Sequence, residues 1–166
     1  MQTNYKTARL FLRPMNAGDV SFIFELVNTD GWIRFIGDRN IKNAEDAGNY
    51  IQKIINNPAI VYRVVTLQDE VTAIGVVTFI KRDYLPHPDI GFAFLPAFGK
   101  QGYAFEASSA VLNDLLQTGG HSTILATTIP ENTSSIQLLV RLGFSFSKEI
   151  SHEGLVLQLF SITKNY

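Results

Sequence analysis

Hydrophobic residues near the start of the chain first alternate with polar ones and then recur at the spacing of helices. Residues 9–13 alternate, which predicts a strand that ends at Pro14. Asn16 and Asn43 each precede an apolar run of helical period, and each has an aspartate three residues later, an arrangement typical of a helix N-terminus. The pattern therefore predicts one strand followed by two helices.

The rest of the chain returns first to strand-like and then to mixed patterns. Strand signals, mostly β-branched and aromatic runs, occur at residues 9–13, 60–66, 72–80, 89–95, 122–129, 144–150 and 155–160. Two further segments have helical period, at residues 102–116 and 132–142. This order predicts an α/β (mixed α+β) fold, with a mixed sheet of seven strands and about four helices on its faces.

Composition and charge narrow the classes to which this protein can belong. The 166 residues are 46% hydrophobic, which fits a single domain over residues 1–166. Fourteen basic and fifteen acidic residues are scattered along the chain, so we expect no nucleic acid and no membrane as partner. The longest apolar runs have the length of a strand and the first five residues are polar, so we expect a cytoplasmic protein.

The residue types that hold metals or form acyl-enzymes are scarce. The chain has no cysteine, which excludes disulfides, thiolate metal sites and a cysteine-linked acyl intermediate. His87, His121 and His152 lie far apart without the spacing of metal ligands, so we expect no metal.

One loop has the composition of an anion site. The strand at residues 89–95 leads through Gly99 and Lys100 to Gly102, where a helix begins. The first turn of a helix has unpaired N–H groups and a partial positive charge, so a pyrophosphate fits there. The sequence lacks the Walker motif and the G-x-G-x-x-G of dinucleotide folds. By itself the loop is weak evidence for an anion site, since such residues more often form an ordinary strand-to-helix turn.

Four segments together carry a family resemblance: Thr7-Ala8-Arg9-Leu10-Phe11-Leu12-Arg13-Pro14, Asp89-Ile90-Gly91-Phe92, Gly102-Tyr103-Ala104-Phe105-Glu106-Ala107, and Asn132 with Ser135 and Leu142-Gly143-Phe144. They resemble the GNAT N-acetyltransferase superfamily, and the first resembles its RimJ/RimL branch, the ribosomal-protein N-terminal acetyltransferases and their relatives. The resemblance spans residues 7–160. It implies a mostly antiparallel sheet and transfer of acetyl from acetyl-CoA to an amine, either a protein N-terminal α-amine or a small-molecule amine.

The resemblance also implies contacts with acetyl-CoA. The implied cofactor-binding residues are Ala93, Phe94 and Leu95, whose backbone would pair with the pantetheine arm, Lys100, Gln101, Gly102, Tyr103 and Ala104, whose amides would hold the pyrophosphate, and Asn132, which would bond the pantetheine or thioester region. Gly99 departs from the glutamine or arginine that the family usually has there, and Lys100 would add charge. Asn132 is equally interpretable as a helix cap alone.

The same resemblance implies catalytic roles. Asp89 matches the strand position where relatives keep a glutamate, so it is the predicted general base, directly or through a water. Leu139 replaces the usual tyrosine acid, which leaves Ser135 or a water to protonate the sulfur. Trp32 and Phe35 either line the acceptor pocket or only cover the sheet.

Two further sets of charged residues have both a structural and a functional interpretation. Glu106 is either a base or a carboxylate favoured by the helix dipole. Arg9 and Arg13 are either paired strand residues or substrate ligands.

The lack of a strong base in the predicted site bears on which amine the protein can acetylate. An α-amine with a pKa near about 8 is partly neutral at pH 7, whereas a lysine at about 10.4 is almost fully charged. This favours an α-amine or a small amine of modest pKa, acetylated directly in a ternary complex. The alternatives are a coenzyme A-binding module with little turnover and an acyltransferase for a longer acyl-CoA. The chain is expected to be a monomer or a homodimer.

Overall fold

The computed structural model describes residues 1–118 and 120–164, and in these residues one eight-stranded sheet carries five α-helices. The strands are β1 (Tyr5–Lys6), β2 (Leu10–Pro14), β3 (Ile60–Leu67), β4 (Ala73–Ile80), β5 (Asp89–Phe94), β6 (Thr123–Thr128), β7 (Ser145–His152) and β8 (Leu155–Thr163). The helices are α1 (Val20–Val27), α2 (Asp30–Phe35), α3 (Ala44–Ile55), α4 (Tyr103–Gln117) and α5 (Thr133–Arg141).

The strand order is β1-β2-β3-β4-β5-β6-β8-β7, and within it only β5 and β6 are parallel neighbours. The predicted mixed α/β class is confirmed, with an antiparallel-dominated sheet. The predicted counts of seven strands and four helices were each one too low. Both omitted elements, β1 and α2, are short, with two and six residues, and neither spans enough residues to show a period.

Asparagine caps set the starts of the first and third helical segments as predicted. The Asn16 side chain accepts from the Gly18 N–H, and the Asp19 carboxylate accepts from the Asn16 N–H, although this capping box opens a 3-10 turn before α1. The Asn43 side chain accepts from the Asp46 N–H at 2.8 Å at the start of α3.

The two faces of the sheet have separate cores. Helices α1, α2 and α3 pack on one face, where Ile51, Val64 and Val76 are fully buried. Helices α4 and α5 pack on the other, against Val77 and Ile124. Strand β5 contributes to both cores, so it is held from both sides and can present its backbone in a fixed position. No helix in the described part of the chain is long and apolar enough to cross a bilayer.

Candidate functional site

The two parallel strands separate soon after they meet. Their register contains one pair, Asp89 with Leu125, next to a hydrogen bond of 3.0 Å from the Leu125 N–H to the Pro88 carbonyl. No further β5–β6 pair is registered among the described residues, although β5 continues to Phe94. The sheet therefore has a V-shaped gap that opens toward the carboxyl ends of β5 and β6.

The register of β5 shows which backbone groups face this gap. Leu95 donates its N–H to the Ile74 carbonyl of β4 at 2.9 Å, and Ala93 pairs with Val76 in the same antiparallel ladder. Because hydrogen bonding alternates along a strand, Phe92 and Phe94 direct their N–H and C=O groups away from β4 and into the gap. An extended ligand can add to this edge as a strand does.

This register refines the predicted pantetheine contacts. All three predicted residues, Ala93, Phe94 and Leu95, lie at the edge of the gap, but only Phe94 has backbone groups directed into it. Phe92 is a second such residue that the resemblance did not identify. The alternation of the strand, counted back from Phe94, is the signal that would have found it.

The loop between β5 and α4 has a run of unpaired backbone donors. Among the described residues, the N–H groups of residues 100–105 have no protein acceptor, and the first bonded amide is that of Glu106, which donates to the Gly102 carbonyl at 3.0 Å. Lys100 and Gly102 both have left-handed backbone, with φ of 58° and 80°. Successive free amides in such a loop at a helix start form a concave anion site. All five residues predicted to hold the pyrophosphate therefore lie together.

The N-terminal turn between β1 and β2 packs against this loop. The Arg9 guanidinium donates from Nη1 to the Gln101 carbonyl at 2.9 Å and lies 4.4 Å above the centre of the Tyr103 ring. The Glu106 carboxylate accepts from Arg9 Nε at 2.7 Å, from the Arg9 N–H at 2.8 Å and from Thr7 Oγ1 at 2.6 Å. The structure thus favours the paired interpretation of Arg9.

The Glu106 carboxylate likewise has a structural role. Burial acts to raise its pKa, but the hydrogen bonds from Thr7 and Arg9 outweigh it and hold the pKa below the usual value. An ionised carboxylate with three protein donors fits the structural interpretation and not that of a base. Arg13 is paired in the same manner, through a two-pronged contact with Asp19 at 2.7 and 3.0 Å.

Asn132 and Ser135 lie beyond the carboxyl end of β6, at the start of α5. Since β5 and β6 are parallel, this end faces the same side of the sheet as the amide loop, across the gap. The Asn132 side chain accepts from the Ser135 N–H at 3.3 Å, so it is a helix cap. The cap uses one oxygen and leaves the amide NH₂ available for a ligand.

Asp89 lies at the closed end of the gap. It is 3% exposed, and its Oδ2 accepts from Arg82 Nε at 2.9 Å. Its Oδ1 is buried and has no hydrogen-bond partner among the described residues. Burial raises the pKa of this carboxyl, and the Arg82 guanidinium opposes the rise. The predicted base is therefore ion-paired through one oxygen, while its other oxygen is buried without a hydrogen-bond partner among the described residues.

Arg82 was not singled out from the sequence. It follows β4, whose Ile80 pairs with Asp89 in the antiparallel register, so the turn brings the two charges together. Tyr84 interacts with Arg82 as well, and its ring stacks on that of His152 with centroids 3.6 Å apart. A basic residue a few positions before a strand that begins with aspartate is the only sequence signal for this pair.

The predicted acceptor residues differ in their surroundings. Trp32 is 4% exposed and packs in the core with Ile51 and Leu95, so the structure supports its covering role. Its Nε1 is buried without a partner among the described residues. Phe35 is half-buried, with the Arg34 guanidinium 4.9 Å from its ring centre. Leu139, in place of the expected tyrosine, is fully buried in the core of the other face.

A large groove of about 690 Å³ lies elsewhere. It is lined by the C-terminal half of α4 and by the β7–β8 hairpin, including Asn113, Gln117 and Ser161. The amide loop lies at the opposite end of α4, so this groove is separate from the site built by β5 and β6.

The mixed α/β fold thus combines a strand edge open to an extended ligand with an anion loop at a helix start. The chain belongs to the acetyltransferase (GNAT) domain family, whose model matches residues 9–145.

Individual relatives agree with this assignment. The chain is 28% identical over 137 residues to an uncharacterized N-acetyltransferase, YnaD of Bacillus subtilis, covering 82% of this chain and 79% of YnaD. In fold it is similar to RimL, a ribosomal alpha-N-protein acetyltransferase in complex with coenzyme A, with a TM-score of 0.81, 15% identity and 95% of each chain covered. It is similarly close to spermidine N-acetyltransferase from Vibrio cholerae in complex with CoA and spermine, with a TM-score of 0.79, 19% identity and coverage of 95% and 97%.

Proposed function

We propose that this chain transfers the acetyl group of acetyl-CoA directly to an amine while both substrates are bound. The observation that carries the proposal is the run of unpaired amides at residues 100–105, next to the open edge of β5 at Phe92 and Phe94. An anion site and a strand edge in this order suit a diphosphate followed by an amide-containing arm. The family membership and the two coenzyme A complexes of similar fold support the same ligand.

In this arrangement the thioester reaches toward the closed end of the gap. The amine nitrogen attacks the thioester carbonyl, the C–S bond breaks, and the thiolate leaves. The Phe92 N–H faces the gap on the Asp89 side of Phe94 and is positioned to bond the oxyanion. The proton lost by the amine passes to the free Oδ1 of Asp89, directly or through a water. The proton gained by the sulfur comes from Ser135 or a water.

The acceptor is an α-amine of a protein N-terminus or a small amine of modest pKa, as in a RimJ/RimL-like enzyme. Asp89 is the base in this proposal, and Arg82 compensates its charge. A carboxylate base paired with an arginine cannot easily remove the proton of an amine with a pKa of about 10.4.

Calorimetry of coenzyme A binding and an acetyl-CoA assay with thiol release test the proposal. The amine panel contains N-terminal peptides, small primary amines, a polyamine and an Nα-blocked lysine peptide, and succinyl-CoA is run beside acetyl-CoA. We expect coenzyme A to bind and thiol release to be fastest with the α-amines. Binding without turnover on any amine would favour the coenzyme A-binding module, and faster reaction with succinyl-CoA would favour the longer acyl group.

Gly102→Glu places a carboxylate at the anion loop on a residue with φ of 80°, so it should abolish coenzyme A binding. Gly31→Glu is the control, because a Cβ at Gly31 meets no atom within 4 Å. The melting temperature of each variant shows whether the fold is retained. Unchanged affinity in a folded Gly102→Glu protein would place the cofactor elsewhere.

A further inference from the structure

One loop carbonyl of the anion site is held from outside the loop. Arg9 Nη1 donates to the Gln101 carbonyl at 2.9 Å, a contact between residues 92 positions apart in the chain. In a planar trans peptide the C=O and the N–H point in opposite directions. Because the Gln101 carbonyl points toward Arg9, the Gly102 N–H of the same peptide unit points away from it. That N–H is one of the unpaired donors of the site.

Arg9 itself has little freedom to move. Its Nε and its backbone N–H both donate to Glu106, and its guanidinium plane lies over the Tyr103 ring. Glu106 is anchored in the first turn of α4, the same turn that supplies the last free amides. The guanidinium is therefore fixed relative to the loop even though the Arg9 side chain is 46% exposed.

The arginine also brings positive charge to the loop. Its Nη2 lies 3.3 Å from the place that a Cβ on Gly102 would occupy, and it has no hydrogen-bond partner among the described residues. Gly99 contributes no side chain to the loop, and Lys100 is exposed. Arg9 is thus a fixed cation in contact with the loop.

We propose that Arg9 is a positioning residue for the diphosphate of the acyl donor: it orients the Gln101–Gly102 peptide so that the Gly102 N–H faces the phosphate. The inference rests on the proposed function and assigns a role to a residue of the N-terminal turn. Without Arg9 the peptide is free to rotate, and its carbonyl would then be presented to the anion.

The test compares donors with and without the diphosphate. Michaelis constants are measured for acetyl-CoA and for S-acetylpantetheine in wild type, Arg9→Gln and Arg9→Lys. We expect Arg9→Gln to raise the KM for acetyl-CoA about tenfold, the effect of losing one charge-assisted hydrogen bond. The KM for S-acetylpantetheine and both kcat values should stay unchanged. Arg9→Lys should recover part of the loss, because it keeps the charge without the planar fork.

Thr7→Val is the matched control. It removes the 2.6 Å hydrogen bond from Thr7 Oγ1 to Glu106 and the 3.0 Å hydrogen bond that this oxygen accepts from the Leu10 N–H, and so weakens the same turn and its connection to α4 without touching Gln101. This variant should keep the wild-type KM for acetyl-CoA. If Arg9→Gln raises the KM for both donors equally, or if Thr7→Val reproduces its effect, Arg9 is structural and the inference is rejected.

Binding measurements separate this result from the proposed function. If the wild type does not bind coenzyme A by calorimetry, the proposed function fails and the inference about Arg9 fails with it. If the wild type binds coenzyme A and both Arg9 variants bind it equally well, only the role of Arg9 is rejected.

Discussion

The Asp89 carboxylate and the Arg82 guanidinium form an ion pair at the closed end of the β5–β6 gap, with Arg82 Nε 2.9 Å from Asp89 Oδ2. The second carboxylate oxygen, Oδ1, is buried without a partner among the described residues. A buried, half-satisfied carboxylate is costly for stability, and such groups concentrate at functional sites. The geometry thus gives Asp89 one fixed oxygen and one oxygen free for a proton.

Replacing Asp89 tests this division of roles. Asp89→Asn keeps the shape of the side chain but cannot take a proton, so kcat should fall about 100-fold or more, with little change in the KM for acetyl-CoA. Raising the pH should restore part of the rate, because it supplies neutral amine. The control is Asp83→Asn, an exposed aspartate on the same loop as Arg82, which should retain the wild-type rate. A normal kcat in Asp89→Asn at neutral pH would remove Asp89 from the mechanism.

The charge of Arg82 should control the pH dependence of the reaction. Burial raises the pKa of Asp89, and Arg82 opposes the rise, so removing the guanidinium in Arg82→Gln should raise this pKa further. A base must be ionised, so activity is lost as the pH falls through its pKa. The acidic limb of the kcat/KM profile should therefore move to higher pH in Arg82→Gln. Lys81→Gln, which removes a neighbouring exposed charge, should leave the limb in place.

The stability of Arg82→Gln should depend on pH with a defined sign. Because the pKa of Asp89 is higher in the folded than in the unfolded protein, its contribution to stability is present below the unfolded value and is lost as the pH rises through the folded value. The melting temperature of Arg82→Gln should therefore lie further below that of the wild type at pH 8 than at pH 5. The other titratable groups near this pair are Tyr62, Tyr84, His152 and Glu153. Burial raises the pKa of the Tyr62 and Tyr84 phenols, so both stay neutral between pH 5 and 8 in either protein, and the Asp89 carboxyl, which loses its Arg82 partner, carries the expected difference.

The sequence predicted those parts of the fold and site that depend on local chemistry. The caps at Asn16 and Asn43 and the helix start after Gly102 follow from residue type and spacing within a few positions. The element order followed from periodicity, except where β1 and α2 were too short to have one.

The remaining features of the site depend on contacts between distant segments. Arg9 reaches Gln101 and Glu106 only because the N-terminal turn packs on α4, which no pattern near Arg9 indicates. The pairing of Arg82 with Asp89 depends on the register of β4 and β5. Trp32 is apolar enough for either a core or a pocket wall, and its burial in the core of the α1–α3 face depends on how α2 packs, which the sequence near Trp32 does not indicate.

Asn132 offers a test that separates capping from ligand binding. Asn132→Asp keeps the oxygen that accepts from the Ser135 N–H but loses the amide donor, so the cap should persist. If the amide contacts the cofactor, the affinity for coenzyme A should fall about tenfold, as expected for one lost hydrogen bond in a buried site. Asn43→Asp is the control, since Asn43 makes the same kind of cap on α3. Equal affinity in wild type and Asn132→Asp would show that Asn132 is a cap alone.

The order of substrate binding and product release should follow from the nucleophiles that the chain lacks. With no cysteine, an acyl-cysteine enzyme is excluded. Ser108 in α4 is fully buried in the core and its hydroxyl has no partner among the described residues, so no base activates it. Acetyl transfer should therefore pass directly from donor to amine, and initial-rate plots at several fixed amine concentrations should intersect. Parallel lines, together with an acetylated protein trapped in the absence of amine and detected by intact mass, would instead establish a covalent intermediate.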